Sequence, residues 1–249
     1  MSGAFQGQLA LVTGAGRRLG RAIADGLARE GCDVVVHYRS SYQDAEETAK
    51  LVRKRGVQAW TVQADLEDLS ATEGLVPRVV ETAGRPLDIL VNSASIFENS
   101  RLTEFSAEDL ERNMRVHAMA PLLLARALAA QNRPAQIVNM LDTRIVDYDK
   151  LHAAYHLSKR MLFTLTRMLA RELAPNVRVN AVAPGLILPP EGKDESYLQR
   201  LARDIPLQRH GCADDIFRAV LFLLQSDFIT GQVIFVDGGQ HMLSNMYGT

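Results

Sequence analysis

The chain has 249 residues, a length that suits one large domain with an ample core, and its 47% hydrophobic content is ordinary for a globular protein. Its 28 lysines and arginines nearly balance 29 acidic residues, leaving a formal net charge of -1, so it carries no basic footprint, which argues against nucleic acid as the main partner. The two cysteines, Cys32 and Cys212, are too few for a disulfide framework and lack the spacing of a metal site, which points to a reducing cytoplasm.

The start, MSGAFQGQ, has neither the charged nor the apolar region of a signal peptide, and no apolar run nears the roughly 20 residues that span a bilayer. A soluble, unexported protein is expected. From Gln8 short apolar runs alternate with helical periods: LALVT, a helix to about Glu30, DVVVHY, a helix to about Arg55, then QAWTVQ. There follow a helix near Ala71 to Ala83, the strand DILVN, a long helix near Ala107 to Ala130, the strand QIVNML and a helix carrying Tyr155 and Lys159. The strand VRVNAVA, a helix near Ala213 to Leu224 and a last strand QVIFV complete the pattern. Strand and helix in repeated alternation imply parallel strands joined by right-handed crossovers, and continuous apolar strands imply a sheet covered on both faces. The fold expected is an α/β, Rossmann-type, doubly wound single domain. One stretch, Gly185 to about Glu195, breaks the alternation with paired prolines and charges; it is a lid over a site or a surface insertion.

After the first strand comes Thr13-Gly-Ala-Gly-Arg-Arg-Leu-Gly20 and then a helix. Glycines at such a turn let backbone approach a pyrophosphate, and the helix N-terminus adds donors and a positive dipole, so this is a dinucleotide-binding loop. The second strand ends in His37-Tyr-Arg-Ser-Ser41, where an NAD-binding protein would usually offer an acid to the ribose diol. His37, Arg39 and Ser40, with Arg17 from the loop, instead offer cations and hydroxyls to a ribose 2′-phosphate, which favours NADPH. Asp65, after the third strand, either receives the adenine amine or caps the next helix.

Tyr155 and Lys159, four apart on a helix, share one face. A tyrosine near its ordinary pKa of about 10 is a poor proton shuttle at neutral pH, and a neighbouring ammonium is expected to move it toward the working range. Upstream, the strand Ile137 to Leu141 ends in Asp142, where an active-site side chain would sit.

Taken in order, the Gly-rich loop, Asn92-Ser-Ala-Ser95, the Tyr155/Lys159 pair and Pro184-Gly185 resemble the short-chain dehydrogenase/reductase family from about Gln8 to Gly239. That resemblance implies that Tyr155 donates the proton and that Lys159 holds the nicotinamide ribose. It implies a cofactor surface of Gly14, Arg17, Arg18, Leu19, Gly20, His37, Tyr38, Arg39, Ser40, Asp65, Leu66, Asn92, Ala94, Pro184 and Gly185 with Tyr155 and Lys159. Four positions depart from the family pattern: Asp142 replaces a serine, His117 a helix asparagine and Arg18 a loop glycine, while Ser95 and Phe97 stand where an Asn-Asn-Ala-Gly run continues. Together these are similar to the pteridine reductase branch and its dihydromonapterin reductases. This implies a substrate surface of Arg18, Ser95, Phe97, Asp142, Tyr155 and Leu186, no metal, and a homotetramer.

The chemistry agrees. A carboxylate beside a developing alkoxide would repel it. Hydride arriving at the carbon of a C=N bond instead leaves charge on nitrogen, so a protonated Asp142, or Tyr155 acting through it, can deliver the missing proton. Phe97 offers a flat substrate an aromatic face or belongs to the core; Arg18 reaches pyrophosphate and pterin or phosphate alone. His117 holds a relay water toward Lys159 or is a satisfied helix histidine; Ser95 bonds the pterin amine or serves a turn. The activity expected is NADPH-dependent reduction of a dihydropterin (dihydromonapterin, dihydrobiopterin or dihydrofolate) to its tetrahydro form. The rivals are a ketone or sugar reductase and a non-catalytic dinucleotide sensor.

Overall fold

The short apolar runs form parallel strands in the computed structural model, which describes residues 3–190 and 192–243. β1 (Leu9–Val12), β2 (Asp33–Tyr38), β3 (Ala59–Gln63), β4 (Ile89–Asn92), β5 (Ala135–Met140), β6 (Val177–Pro184) and β7 (Val233–Val236) make a 7-stranded sheet in the order β3-β2-β1-β4-β5-β6-β7. Every neighbouring pair is parallel. The connections are helical: α1 (Arg18–Arg29), α2 (Tyr42–Arg53), α3 (Leu69–Glu73), α4 (Leu75–Ala83), α5 (Ala107–Met114), α6 (Ala120–Ala129), α7 (Ala153–Glu172), α8 (Glu195–Ala202) and α9 (Ala213–Gln225).

The two-residue period of a strand sends alternate side chains into two cores. From β1, Ala10 and Val12 pack with Ile23, Leu27, Phe217 and Val220 beneath α1 and α9. Leu9 and Leu11 pack on the other face with Leu75, Val79, Leu124 and Leu128 beneath α4 and α6. Both faces are therefore apolar and covered, which is why the strands read as unbroken hydrophobic runs. This is the expected Rossmann-type doubly wound sheet, and its crossovers reverse direction between β1 and β4, where a crevice opens at the carboxyl ends of the strands.

Three elements differ from the sequence expectation. The helix expected over 71–83 is split into α3 and α4 at Gly74, because Pro77 has no N–H to offer the carbonyl of Glu73. The long helix over 107–130 runs on, but through a π turn at Arg115–Met119; Pro121 has no N–H for the carbonyl of His117, and the wider turn accommodates the gap. The irregular stretch is followed by α8, capped by the Asp194 carboxylate accepting from Ser196 N–H, while Ile187 within it is buried in the core; Glu191 lies outside the described residues. No helix among the described residues is long and apolar enough to cross a membrane.

His37 has a different part from the one expected. Its ring is 2% exposed, with Nδ1 accepting the Gly14 N–H at 3.1 Å and Nε2 lying 3.1 Å from the Ala64 carbonyl, to which it donates. It offers no cation to a phosphate; it braces the Gly-rich loop against the loop after β3. Burial pushes its pKa down to about 4. The unfolded imidazole takes its proton near pH 6.5 and the folded one only near 4, so the unfolded chain binds more protons within that window. The His37 contribution is complete above pH 6.5 and is lost as pH falls toward 4, amounting to about 3 kcal/mol. Denaturant unfolding across that range is expected to trace this loss, and His37→Asn, which cannot titrate, to flatten it; identical profiles would contradict the assignment.

Candidate active site

The crevice is built on Thr13. Its hydroxyl oxygen, 1% exposed at the end of β1, accepts the backbone N–H groups of Ser93 and Ala94 at 2.9 and 3.0 Å, tying the loops after β1 and β4 together. Gly14 then turns with φ +63, and a Cβ there would lie 2.7 Å from the Ala94 Cα; a Cβ on Gly20 would lie 2.3 Å from the Gly14 carbonyl oxygen. Only glycine permits this approach. The first turn of α1 has no side-chain cap and no acidic residue, so its N–H donors and dipole face the crevice. Leu19 packs against the core beneath the loop.

At the end of β2, Arg39 and Ser40 are exposed, as is Arg17 on the loop, and Tyr38 packs against Tyr42 with ring centroids 5.8 Å apart. Sequence reasoning missed Glu67: its carboxylate holds Arg39 at 2.9 Å and Arg112 at 3.0 Å, and Arg112 reaches on to Glu98 at 3.0 Å. A lone Glu two residues past a candidate adenine ligand carries no local signal of that pairing. Asp65 turns its carboxylate onto the Glu67 N–H at 3.0 Å, and the helix cap is Asp68, not Asp65. Leu66 is buried beside it. Deeper, Asn92 donates to Asn139 at 2.8 Å and Asn139 to Thr166 at 2.9 Å, while the buried Asn92 Oδ1 has no protein partner among the described residues. Pro184 ends β6, and Gly185 N–H donates to the Val236 carbonyl at 3.0 Å.

On the substrate side, the Tyr155 hydroxyl donates to Asp142 Oδ2 at 2.9 Å, while Asp142 Oδ1 accepts the Arg144 N–H at 2.8 Å. Lys159, 4% exposed, donates to the Met140 carbonyl at 2.7 Å, and its Nζ lies 5.6 Å from the Tyr155 ring centroid. The ammonium does not bring the phenol toward neutrality, as the i, i+4 pattern suggested. Burial, then the Asp142 charge and its hydrogen bond, hold the Tyr155 pKa well above 10, so the phenol keeps its proton. Burial also brings Lys159 down to about 8, against the pull of Asp142.

His117 is a satisfied histidine. Its Nε2 accepts the Ile96 N–H at 3.1 Å, so Nδ1 carries the proton and donates to Ser158 Oγ at 2.8 Å; Ser158 in turn donates to the Tyr155 carbonyl at 2.7 Å. Ser95 Oγ lies 3.0 Å from the same Nε2. Burial, then the Lys159 charge, keep His117 neutral, and with both nitrogens engaged it holds the helix turn beneath Tyr155 and no relay water. Phe97 is 52% exposed, stacked by one face on His152 at 3.9 Å with its ring 4.8 Å from that of Tyr155, so it is not a core residue. Arg18, at φ +54 where glycine is favoured, donates to the Pro189 carbonyl at 2.9 Å and links the loop to the segment after β6. Leu186, in that segment, accepts the Gly211 N–H at 2.9 Å through its carbonyl.

A glycine cradle at a bare helix N-terminus, an unpartnered buried Asn92 oxygen and a buried lysine with one hydrogen bond fit a dinucleotide lying across the switch point. Fold and site define a dinucleotide-dependent oxidoreductase of the doubly wound class. A family model described as enoyl-(acyl carrier protein) reductase matches residues 14–241. The 3-oxoacyl-[acyl-carrier-protein] reductase FabG of Staphylococcus aureus is 32% identical over 94% of this chain and 98% of its own length. The crystal structure of FolM alternative dihydrofolate reductase 1 from Brucella canis complexed with NADP has TM-score 0.90 at 35% identity, covering 96% of this chain and 95% of that one. The promiscuous reductase LugOII, which catalyses keto-reduction at C1 in lugdunomycin biosynthesis, gives TM-score 0.87 at 34% identity, over 96% and 99%. The chain belongs to the short-chain dehydrogenase/reductase family.

The buried ammonium sets an alkaline limit. Lys159 loses its proton above pH about 8, and with it the positive field beneath the site. Steady-state kcat/KM is expected to fall by tenfold per pH unit beyond that point; a rate flat into strong alkali would remove Lys159 from the charged role.

Proposed function

We propose that this oxidoreductase uses NADPH to reduce a dihydropterin, such as dihydromonapterin, dihydrobiopterin or dihydrofolate, to its tetrahydro form. The observation that carries the reading is the 2.9 Å hydrogen bond from the Tyr155 hydroxyl to the Asp142 carboxylate, which stands where most relatives are expected to carry a serine. The likeness to FolM supports it. NADPH is supported by Arg39, Ser40 and Arg17 around the end of β2, with Arg39 passing from Glu67 to a 2′-phosphate, and by the NADP bound in FolM.

The backbone N–H groups of the Gly14–Gly20 loop would take the pyrophosphate and Lys159 the nicotinamide ribose. Bound there, the cofactor supplies a hydride to an electrophilic carbon. The chain must then provide a proton and keep the acceptor from carrying unpaired charge. Tyr155 remains a neutral phenol whose proton can go to a ring nitrogen, and the half-buried Asp142 carboxylate, hydrogen-bonded to that phenol, links it to the solvent side of the pocket. An unprotonated carboxylate at the same place would oppose an alkoxide. Phe97 presents its unstacked face to a flat bicycle, worth about 0.5–1.5 kcal/mol beyond burial. Leu157, Met161 and Met168 are exposed along α7, which supports assembly into a tetramer through that helix. The two free cysteines suit a reducing cytoplasm.

Keto-reduction is the second reading, favoured by the likeness to FabG and LugOII. Dihydropterins and a panel of carbonyls, each followed by NADPH absorbance, separate the two, and the pterin reading fails if only carbonyls turn over. Tyr155→Phe is expected to lower kcat by about 10²-fold or more while NADPH still binds; near-normal turnover would refute its role as donor. Asp142→Ser is expected to lose pterin reduction and gain carbonyl reduction, and unchanged pterin kinetics would end the imine argument.

A further inference from the structure

Beside the residues used above lies a cluster that the proposed reaction does not need. His152 precedes α7 and His156 is one turn on, so the i, i+4 spacing brings both imidazoles to one side of the helix start. The chain folds Asp149 back over them. His152 Nδ1 lies 2.9 and 3.0 Å from the two Asp149 carboxylate oxygens, His156 Nε2 lies 3.3 Å from Oδ2, and the three donor atoms all fall within 4.8 Å of one another. We infer that Asp149, His152 and His156 form a binding site for a divalent transition-metal cation of the zinc type.

Two imidazoles and one carboxylate are the donor set of open, three-ligand zinc sites. Donors about 2.0–2.1 Å from a tetrahedral ion stand about 3.3 Å apart, so the carboxylate-to-imidazole distances need little adjustment. Asp149 and His152 are partly exposed, which leaves a path for the ion and a fourth position for water. The frame is already held: Asp149 accepts the Leu151 N–H at 2.7 Å and Arg144 Nη1 at 2.6 Å, and His152 is stacked on Phe97. A carboxylate has about four lone-pair sites, enough to keep these donors and bind an ion.

A second observation concerns His156. It is 3% exposed, its Nδ1 has no partner among the described residues, and its Nε2 only accepts the Asp149 N–H at a long 3.3 Å. Burying an imidazole so poorly bonded costs stability, and an ion at Nε2 would exchange its one long hydrogen bond for a coordinate bond while Nδ1 keeps the ring proton. Burial also keeps His156 in the neutral form that ligates metals.

The test is a titration of tag-free, chelator-stripped protein with Co²⁺, followed by displacement with Zn²⁺. One equivalent of Co²⁺ is expected to bind with the intense visible absorption of four-coordinate cobalt, and Zn²⁺ to abolish it. His152→Ala and Asp149→Asn, both at partly exposed positions, are each expected to weaken binding at least about tenfold, with circular dichroism confirming that they fold. Binding that is equal in the wild type and both variants, or only the pale spectrum of six-coordinate cobalt, would overturn the site. The readout uses no substrate, so its outcome is independent of whether a pterin is reduced.

Discussion

The organising constraint is at the carboxyl edge of the sheet, where crossovers part in opposite directions and leave loops whose N–H groups need partners without closing the crevice. Thr13 meets it with one hydroxyl oxygen serving the N–H groups of Ser93 and Ala94. That stitch sets Gly14 against Ala94, and the Gly14 N–H is taken by His37. The glycine loop is thus fixed from both neighbouring strands before any ligand arrives, and its helix donors remain available for an anion. Preorganisation of this kind lowers the ordering cost of binding.

Below that edge, one low-dielectric pocket acts in opposite directions on two titratable groups. Burial disfavours the phenolate of Tyr155 and equally disfavours the ammonium of Lys159, so the phenol is held neutral while the lysine is brought down toward neutrality. Asp142 strengthens the first effect and opposes the second. A serine hydroxyl at that position could accept the same hydrogen bond but would exert neither electrostatic effect. The carboxylate therefore changes the electrostatics of the whole pocket, and Arg144 N–H and Tyr155 hold it in place.

Histidines mark how burial divides labour here. His37 and His117 are both buried with both ring nitrogens engaged, and each ties a loop or helix turn to the site. His156 is buried as deeply, yet its Nδ1 has no partner among the described residues and its Nε2 makes one long bond to the Asp149 N–H. From sequence these residues look alike. Arg18 shows the same dependence on surroundings: it accepts a left-handed backbone at a glycine-like position, and its guanidinium reaches across to the Pro189 carbonyl.

The alternation of strands and helices, the glycine loop and the Tyr155/Lys159 face were legible in the amino-acid order, because each rests on local periodicity, steric need or short spacing; Asp142 stood out as an odd acid only through the family resemblance. Tertiary structure alone decided the fates of side chains that meet across long separations. It turned His37 from an expected phosphate cation into a brace, closed His117 to any relay water, set Glu67 against Arg39, left Phe97 open and raised the pKa of the phenol that spacing suggested would be lowered. Local pattern specifies backbone path and face; protonation state and partnership depend on how much water and which charges the folded chain leaves around each group, and no short stretch of sequence contains that information.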